Sequence, residues 1–132
     1  MRHLLGYHNP ERMGYDAENA DPFSLYTNKR TAAIGDAIWI IAGNGKRPRK
    51  YKLSSWFIVS AITPADHPEF GFLLSGTNGG PLNSDIILNG LPWFSELFDQ
   101  TAHFSLGLTQ IKEEATVKKL KRFAAKAGRP ME

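Results

Sequence analysis

The side chains able to do chemistry in this sequence are cations and aromatic rings, and their spacing favours binding over catalysis. The densest cluster is Lys46-Arg47-Pro48-Arg49-Lys50-Tyr51-Lys52, five cations in seven residues. A guanidinium takes phosphate oxygens two at a time, which suits a polyanion better than lysine-only protection of a solvated edge strand would require. Pro48 keeps that limb from zipping into a regular ladder and leaves a positive finger able to meet phosphates. Asn44-Gly45-Lys46 has the ending of a phosphate loop. The first glycine of G-x-x-x-x-G-K-[ST] is absent, however, and Arg47 stands where Ser or Thr must meet magnesium. His3, His8, His67 and His103 share no i, i+4 or alternating spacing that would converge on a metal. No G-x-S-x-G elbow frames a serine, so nothing marks a nucleophile.

Rings are the second resource. Tyr7, Tyr26, Trp39, Trp56, Trp93 and Phe94 fall at or near the ends of predicted elements, where the mouth of a barrel collects side chains. Trp39 and Phe57 lie in apolar runs and read first as core. A base lifted from a duplex needs aromatic faces to stack on and a few polar groups for its Watson–Crick edge. Tyr26 beside Thr27 and Asn28, and Tyr7 beside His8 and Asn9, pair a ring with hydrogen-bonding neighbours. The Asn28-Lys29-Arg30 triplet resembles the finger with which SRA-type readers fill the gap left by a flipped base. A polar loop explains it equally well.

Charge is placed rather than spread. The 132 residues carry 16 Lys and Arg against 13 Asp and Glu, a formal charge of +3. Residues 29–52 hold Lys29, Arg30, Lys46, Arg47, Arg49, Lys50 and Lys52 against Asp36 alone, whereas residues 53–111 hold no Lys or Arg at all. Residues 112–132 return to seven bases against three acids. A basic stripe of this kind is what a polyanion binder needs. The absence of cysteine excludes a disulfide framework and thiolate-built zinc sites, and no cofactor is implied. No stretch approaches the ~18 apolar residues of a membrane span, and Met1 to Tyr7 is too short for a signal h-region. A cytoplasmic protein with no membrane partner is therefore expected. The length predicts one domain over residues 1–132.

Along the chain, Arg2 to Tyr7 predicts a first strand, closed by His8-Asn9-Pro10. Glu11 to Pro22 reads as a loop with one helical turn, and Phe23 to Thr27 as a short strand. Ala37 to Ile41 is an apolar run too short for a helix, hence a buried strand. Asn44-Gly45 predicts a type I′ hairpin turn into a long partner strand, Tyr51 to Ile62. That strand places Trp56, Ile58 and Ser60 on one face and Phe57, Val59 and Ala61 on the other. Phe70 to Ser75 is another strand, Gly76 to Pro81 a glycine loop, and Phe104 to Leu108 a last strand. A helix is expected from Asn89 or Gly90 to about Asp99 and a second from about Ile111 to Ala127, stopping at Gly128. The order of elements predicts a single α+β domain, a small curved sheet or pseudo-barrel with flanking helices.

Leu5-Gly-Tyr-His-Asn-Pro10, Gly35-Asp-Ala-Ile-Trp39, Trp56-Phe-Ile-Val59, Leu91-Pro-Trp-Phe94 and Phe104-Ser-Leu-Gly-Leu108 together resemble the small PUA-superfamily modules of the EVE and YTH type. The likeness covers nearly the whole chain. It is greatest to the EVE-like modules at the front of modification-dependent HNH restriction endonucleases. The resemblance implies a small PUA-like barrel that flips a modified base into an aromatic cage. It puts the polar pocket on Tyr7, His8 and Asn9, one cage ring on Tyr26 with Thr27 beside it, and another on Trp39 or Trp56. The chain departs from the YTH branch by carrying Tyr where that branch has tryptophan. It holds no HNH metal constellation, so a nuclease domain is expected only beyond residue 132.

The function expected is therefore a DNA-binding module that reads a modified cytosine or adenine, 5-methylcytosine among them, by base flipping. Its partner is double-stranded DNA carrying the modified base. Phosphates are expected on Lys29, Arg30, Lys46, Arg47, Arg49, Lys50 and Lys52. The preference for DNA comes from the resemblance alone, because composition does not separate it from RNA. The rival readings are an RNA reader of the same superfamily, a small enzyme using the same pocket, and a protein-interaction module whose basic finger meets an acidic partner.

Overall fold

Runs of β-branched and aromatic residues build a six-stranded sheet curled into a half-barrel. The computed structural model describes residues 1–8, 13, 20–28, 30–44, 49–82, 87–100 and 108–131, with Asn44 and Gln100 by backbone alone. Strand β1 spans His3–His8, β2 Ser24–Thr27, β3 Ala37–Asn44, β4 Lys50–Pro64, β5 Phe72–Pro81 and β6 Thr109–Gln110. A 3-10 turn at Leu88–Gly90 leads into helix α1, Pro92–Gln100, and helix α2 spans Glu114–Lys126. The strand order is β2-β5-β4-β3-β1-β6, with β1 parallel to β3 and the other pairs antiparallel. The architecture is the expected α+β class, a curved sheet with flanking helices.

Strand parity divides the core in two. Leu4, Leu25, Ile38, Ile40, Phe57, Val59, Leu74 and Leu108 pack on the inner side of the curl. Leu5, Trp39, Ile41, Leu53 and Trp56 face outward, where Phe94 and Leu97 of α1 and Leu120 and Ala124 of α2 cover them. Strands β1 and β2 stand at distant places in the sheet order, yet they meet across the interior. A Cβ on Gly6 would strike Leu25 Cδ2. Arg2 fastens the entry to β3, donating to Asp36 Oδ2 at 2.6 Å and to the Thr31 carbonyl at 2.7 Å.

Curling requires breaks in the ladder, and they occur where β4 meets both neighbours. The register shifts between Ile40 and Ile41 on the β3 side, and between Trp56 and Ile58 and between Val59 and Ala61 on the β5 side. Each bulge bends the strand and raises its local twist. Gly76 to Pro81 is not the expected loop but the second half of β5. Its glycines are there because the backbones lie so close: a Cβ on Gly76 would fall on the Ile58 carbonyl, and one on Gly79 on the Trp56 carbonyl.

Two further expectations shift. Asn44 pairs with Lys50 inside the β3–β4 ladder, so it is a strand residue and not the first central residue of a two-residue turn. Helix α2 starts at Glu114, later than Ile111, because the Ile111 N–H is held by the His3 carbonyl at 2.8 Å as a continuation of the β6 ladder. Residues 11–19, Met13 apart, and residues 104–107 of the expected last strand lie outside the described residues.

Candidate nucleic-acid interface

The base of the basic hairpin carries the most developed polar and aromatic arrangement. On β3, Gly43 pairs with Tyr51 of β4, and β1 runs alongside with Tyr7 opposite Ile41. Tyr7 and Tyr51 both point outward, toward the helices. Gly43 has no side chain, so the Tyr7 hydroxyl and the methylenes of Arg49 settle over it. There the Arg49 guanidinium donates to Tyr7 Oη at 2.8 Å. The Tyr51 ring stands edge-on to Tyr7 with centroids 6.0 Å apart, and tilts against Phe94 at 5.6 Å and Phe98 at 5.3 Å. Phe94 and Phe98, one helical turn apart on α1, stack at 6.1 Å. Tyr7, Arg49, Tyr51 and Phe98 are half-buried, so the cluster has a solvated side.

Asn89 sets the height of this limb. Strand β5 covers β4 only from Ser55 onward, which leaves the earlier β4 backbone with one strand neighbour. The Asn89 carboxamide takes the place of the other, accepting from the Tyr51 N–H at 2.8 Å and donating to the Arg49 carbonyl at 2.9 Å. Burial, and next the neighbouring Tyr7, raise the Tyr51 pKa above its ordinary value, with Arg49 opposing. Tyr51 is thus a neutral phenol at physiological pH, a ring with a proton to donate.

The residues expected to line one pocket are distributed over four places. Tyr7 joins the cluster just described. His8 and Thr27 are buried on the inward-facing side of their strands. Trp39, at 0% exposure, and Trp56, at 3%, lie in the core. The Trp39 indole N–H donates to His3 Nδ1 at 3.0 Å, and that of Trp56 donates to the Arg129 carbonyl at 2.8 Å. Neither indole presents a face to solvent. Tyr26 stands on the edge strand β2, its ring 4.9 Å from His67 and 6.2 Å from Phe70. Asn28 ties that edge to the loop after β4, donating to the Glu69 carbonyl at 3.0 Å and accepting from the Gly71 N–H at 2.8 Å. Asn9 lies outside the described residues.

The cations likewise separate. Lys50 is exposed and Lys52 half-buried, and their register opposite Asn44 and Ala42 puts both on the face away from Tyr51. Arg49 alone of the described basic limb reaches the ring cluster. Arg30 holds its guanidinium 5.0 Å over the Phe72 ring at the β2 edge. Lys29, Lys46 and Arg47 lie outside the described residues.

Sequence reasoning passed over Tyr51, Phe98, Asn89 and Gly43 as site residues. Tyr51 did carry a signal: it stands two residues after Arg49, so a strand through both puts them on one face. Among the described residues no group of three or more His, Asp or Glu could hold a metal, and no helix is long and apolar enough to cross a membrane. No family model, curated protein or solved structure matches the chain.

Proposed function

We propose that the chain is a nucleic-acid recognition module that stacks a flipped, modified base on the Tyr7–Tyr51 rings while the hairpin cations hold the flanking phosphates. One observation carries the reading: the Arg49–Tyr7–Tyr51 arrangement, in which a guanidinium and two half-buried rings meet at the root of the basic hairpin. Stacking needs a π face, and recognition of a base edge needs a few fixed donors. Arg49, positioned by its bond to Tyr7 Oη, is a donor of that kind. The platform therefore moves from Tyr26 and a tryptophan to Tyr7 and Tyr51, with Phe98 alongside.

The EVE-like resemblance supports double-stranded DNA carrying a modified cytosine or adenine as the ligand of a module that acts by binding. The test is a fluorescence anisotropy titration with matched duplexes, unmodified, cytosine-modified and adenine-modified, and with single-stranded RNA, at two salt concentrations. Tyr51→Ala is expected to lower affinity for the preferred duplex by about ten- to a hundredfold, since stacking contributes ~1–3 kcal/mol per base, and to spare the weaker unmodified binding. Tyr26→Ala is expected to keep the preference. Equal affinity of the parent protein for all duplexes would sink the modified-base reading, and tighter binding to RNA would transfer it to that ligand.

A further inference from the structure

Helix α2 holds a group of cations that the hairpin does not account for. Its thirteen residues include Lys118, Lys119, Lys121, Arg122 and Lys126 against Glu114 alone. Thr116, Leu120 and Ala124 face the core, and at 100° per residue every one of those cations falls outside that buried stripe. Lys118, Arg122 and Lys126 are exposed and recur at i, i+4, a straight row with a charge about every 6 Å along the axis. Among the described residues the only ion pair is Arg2 with Asp36, so none of these cations is held in an ion pair with a described carboxylate.

The helix that carries the row also reaches the ring cluster, through the neighbouring Lys119. The Lys119 ammonium lies 5.9 Å from the centroid of the Trp93 ring, Trp93 meets Phe94 edge-on at 6.4 Å, and Phe94 leans on Tyr51 at 5.6 Å. A base on the rings would thus lie between Arg49 on one side and the cations of α2 on the other.

We infer that the exposed face of α2 is a second phosphate-backbone contact surface, binding nucleic acid without reading its sequence. This rests on the nucleic-acid part of the reading above, not on the modified base. An anionic bilayer is the weaker partner for this face, because interfacial helices insert an apolar side and α2 spends its apolar side on the core. An exposed row of cations matches a charged backbone instead.

The experiment compares the full chain with the triple variant Lys118→Gln, Arg122→Gln, Lys126→Gln, using an unmodified DNA duplex over a salt series. Each phosphate contact contributes about 0.9 to the slope of log Kobs against log salt, so the triple variant is expected to flatten it by about 2–3. The single variants Lys118→Gln and Lys126→Gln are expected to flatten it by about 0.9 each. They serve as the second measurement if the triple variant melts early. Lys118→Arg with Lys126→Arg keeps the charge and is expected to keep the slope. An unchanged slope in the glutamine variants overturns the inference. So does a parent protein that binds no duplex, or one that binds anionic phospholipid vesicles as tightly as DNA. If the slope flattens but modified and unmodified duplexes bind alike, α2 stands and the modified-base reading falls.

Discussion

Replacing Gly43 with alanine should disable the candidate site while leaving the fold standing. The position is ordinary β-strand with no left-handed backbone requirement, so alanine is tolerated by the main chain. Its methyl group would lie 2.7 Å from Arg49 Cδ and 3.2 Å from Arg49 Cγ, and closer still to the Tyr7 hydroxyl. Carbon contacts are comfortable at about 3.5–4.0 Å, so both side chains must withdraw by about 1 Å. Both contacts are with side chains and not with backbone, so both can give way, and the withdrawal breaks the 2.8 Å bond between them. A partly solvated hydrogen bond to a charged group is worth ~1–2 kcal/mol, against which alanine in place of glycine returns ~0.5–1 kcal/mol of chain entropy. The net change in stability is then within ~1 kcal/mol, about 3–4 °C in melting temperature for a chain of this length.

Binding is expected to change far more. With Tyr7 and Arg49 displaced, a stacked base loses its platform and a donor, and the preference for the modified duplex should fall by about tenfold or more. Calorimetry and anisotropy titrations on the same preparation decide the matter. A variant that melts like the parent and still prefers the modified duplex by the same factor would refute the assignment of the site to this cluster. A variant that loses modified and unmodified binding equally would make Arg49 a phosphate contact and not part of a base pocket.

Other perturbations test the frame around it. Burial first, then Lys121 and the Met1 amino group, hold the His3 pKa below its ordinary value, with Asp36 opposing. The folded protein therefore protonates His3 at lower pH than the unfolded chain. The stability contributed by its neutral form is present above about pH 6.5 and is lost as pH falls through the lowered folded-state pKa. Melting temperature should decline on that acid side, and His3→Gln, which can still accept the Trp39 N–H, should flatten the decline. Gly79→Ala drives a methyl group into the Trp56 carbonyl and should cost ~1–3 kcal/mol or more, whereas Gly90→Ala meets open space and should melt like the parent. Asn89→Ala releases the Tyr51 N–H and the Arg49 carbonyl to water, so hydrogen exchange at the Tyr51 amide should accelerate while the Trp56 amide is unaffected.

Much of the fold was legible because its strands are short apolar or alternating runs bounded by turn residues. Ala37 to Ile41 reads as a buried strand, and it is one, with Ile38 and Ile40 facing inward and Trp39 and Ile41 outward. Pro92 at the head of α1 and the apolar spacing of Leu120, Phe123, Ala124 and Ala127 located both helices. What failed was glycine and turn grammar. Gly76 to Pro81 has the composition of a loop because its glycines permit backbone contact with β4, a tertiary cause that local propensity does not carry. Asn44-Gly45 announced a hairpin correctly but not its closing pair, since the ladder continues to Asn44 and Lys50.

The site was harder to read, for a reason that lies in a single extra residue. Counting back from Trp56 by strict alternation puts Ser54, Lys52 and Lys50 on the outward face with it and turns Tyr51 inward. The observed register pairs Ile40 with Ser55 and Ile41 with Leu53, so Ser54 is a bulge residue with no partner on β3. One inserted residue reverses the parity of everything before it. Leu53 and Tyr51 now share the face of Trp56 and meet α1, while Lys50 and Lys52 are turned away from the helices. Phe94 and Phe98 at i, i+4 on α1 find a ring to pack against only because of that reversal. The Ser54 carbonyl is in turn held by the Leu82 N–H at 2.9 Å, at the point where β5 stops covering β4 and Asn89 takes over. Bulge, carboxamide and the bare backbone at Gly43 thus cooperate to bring Arg49, Tyr51 and Tyr7 to one spot, and each depends on residues far away in sequence.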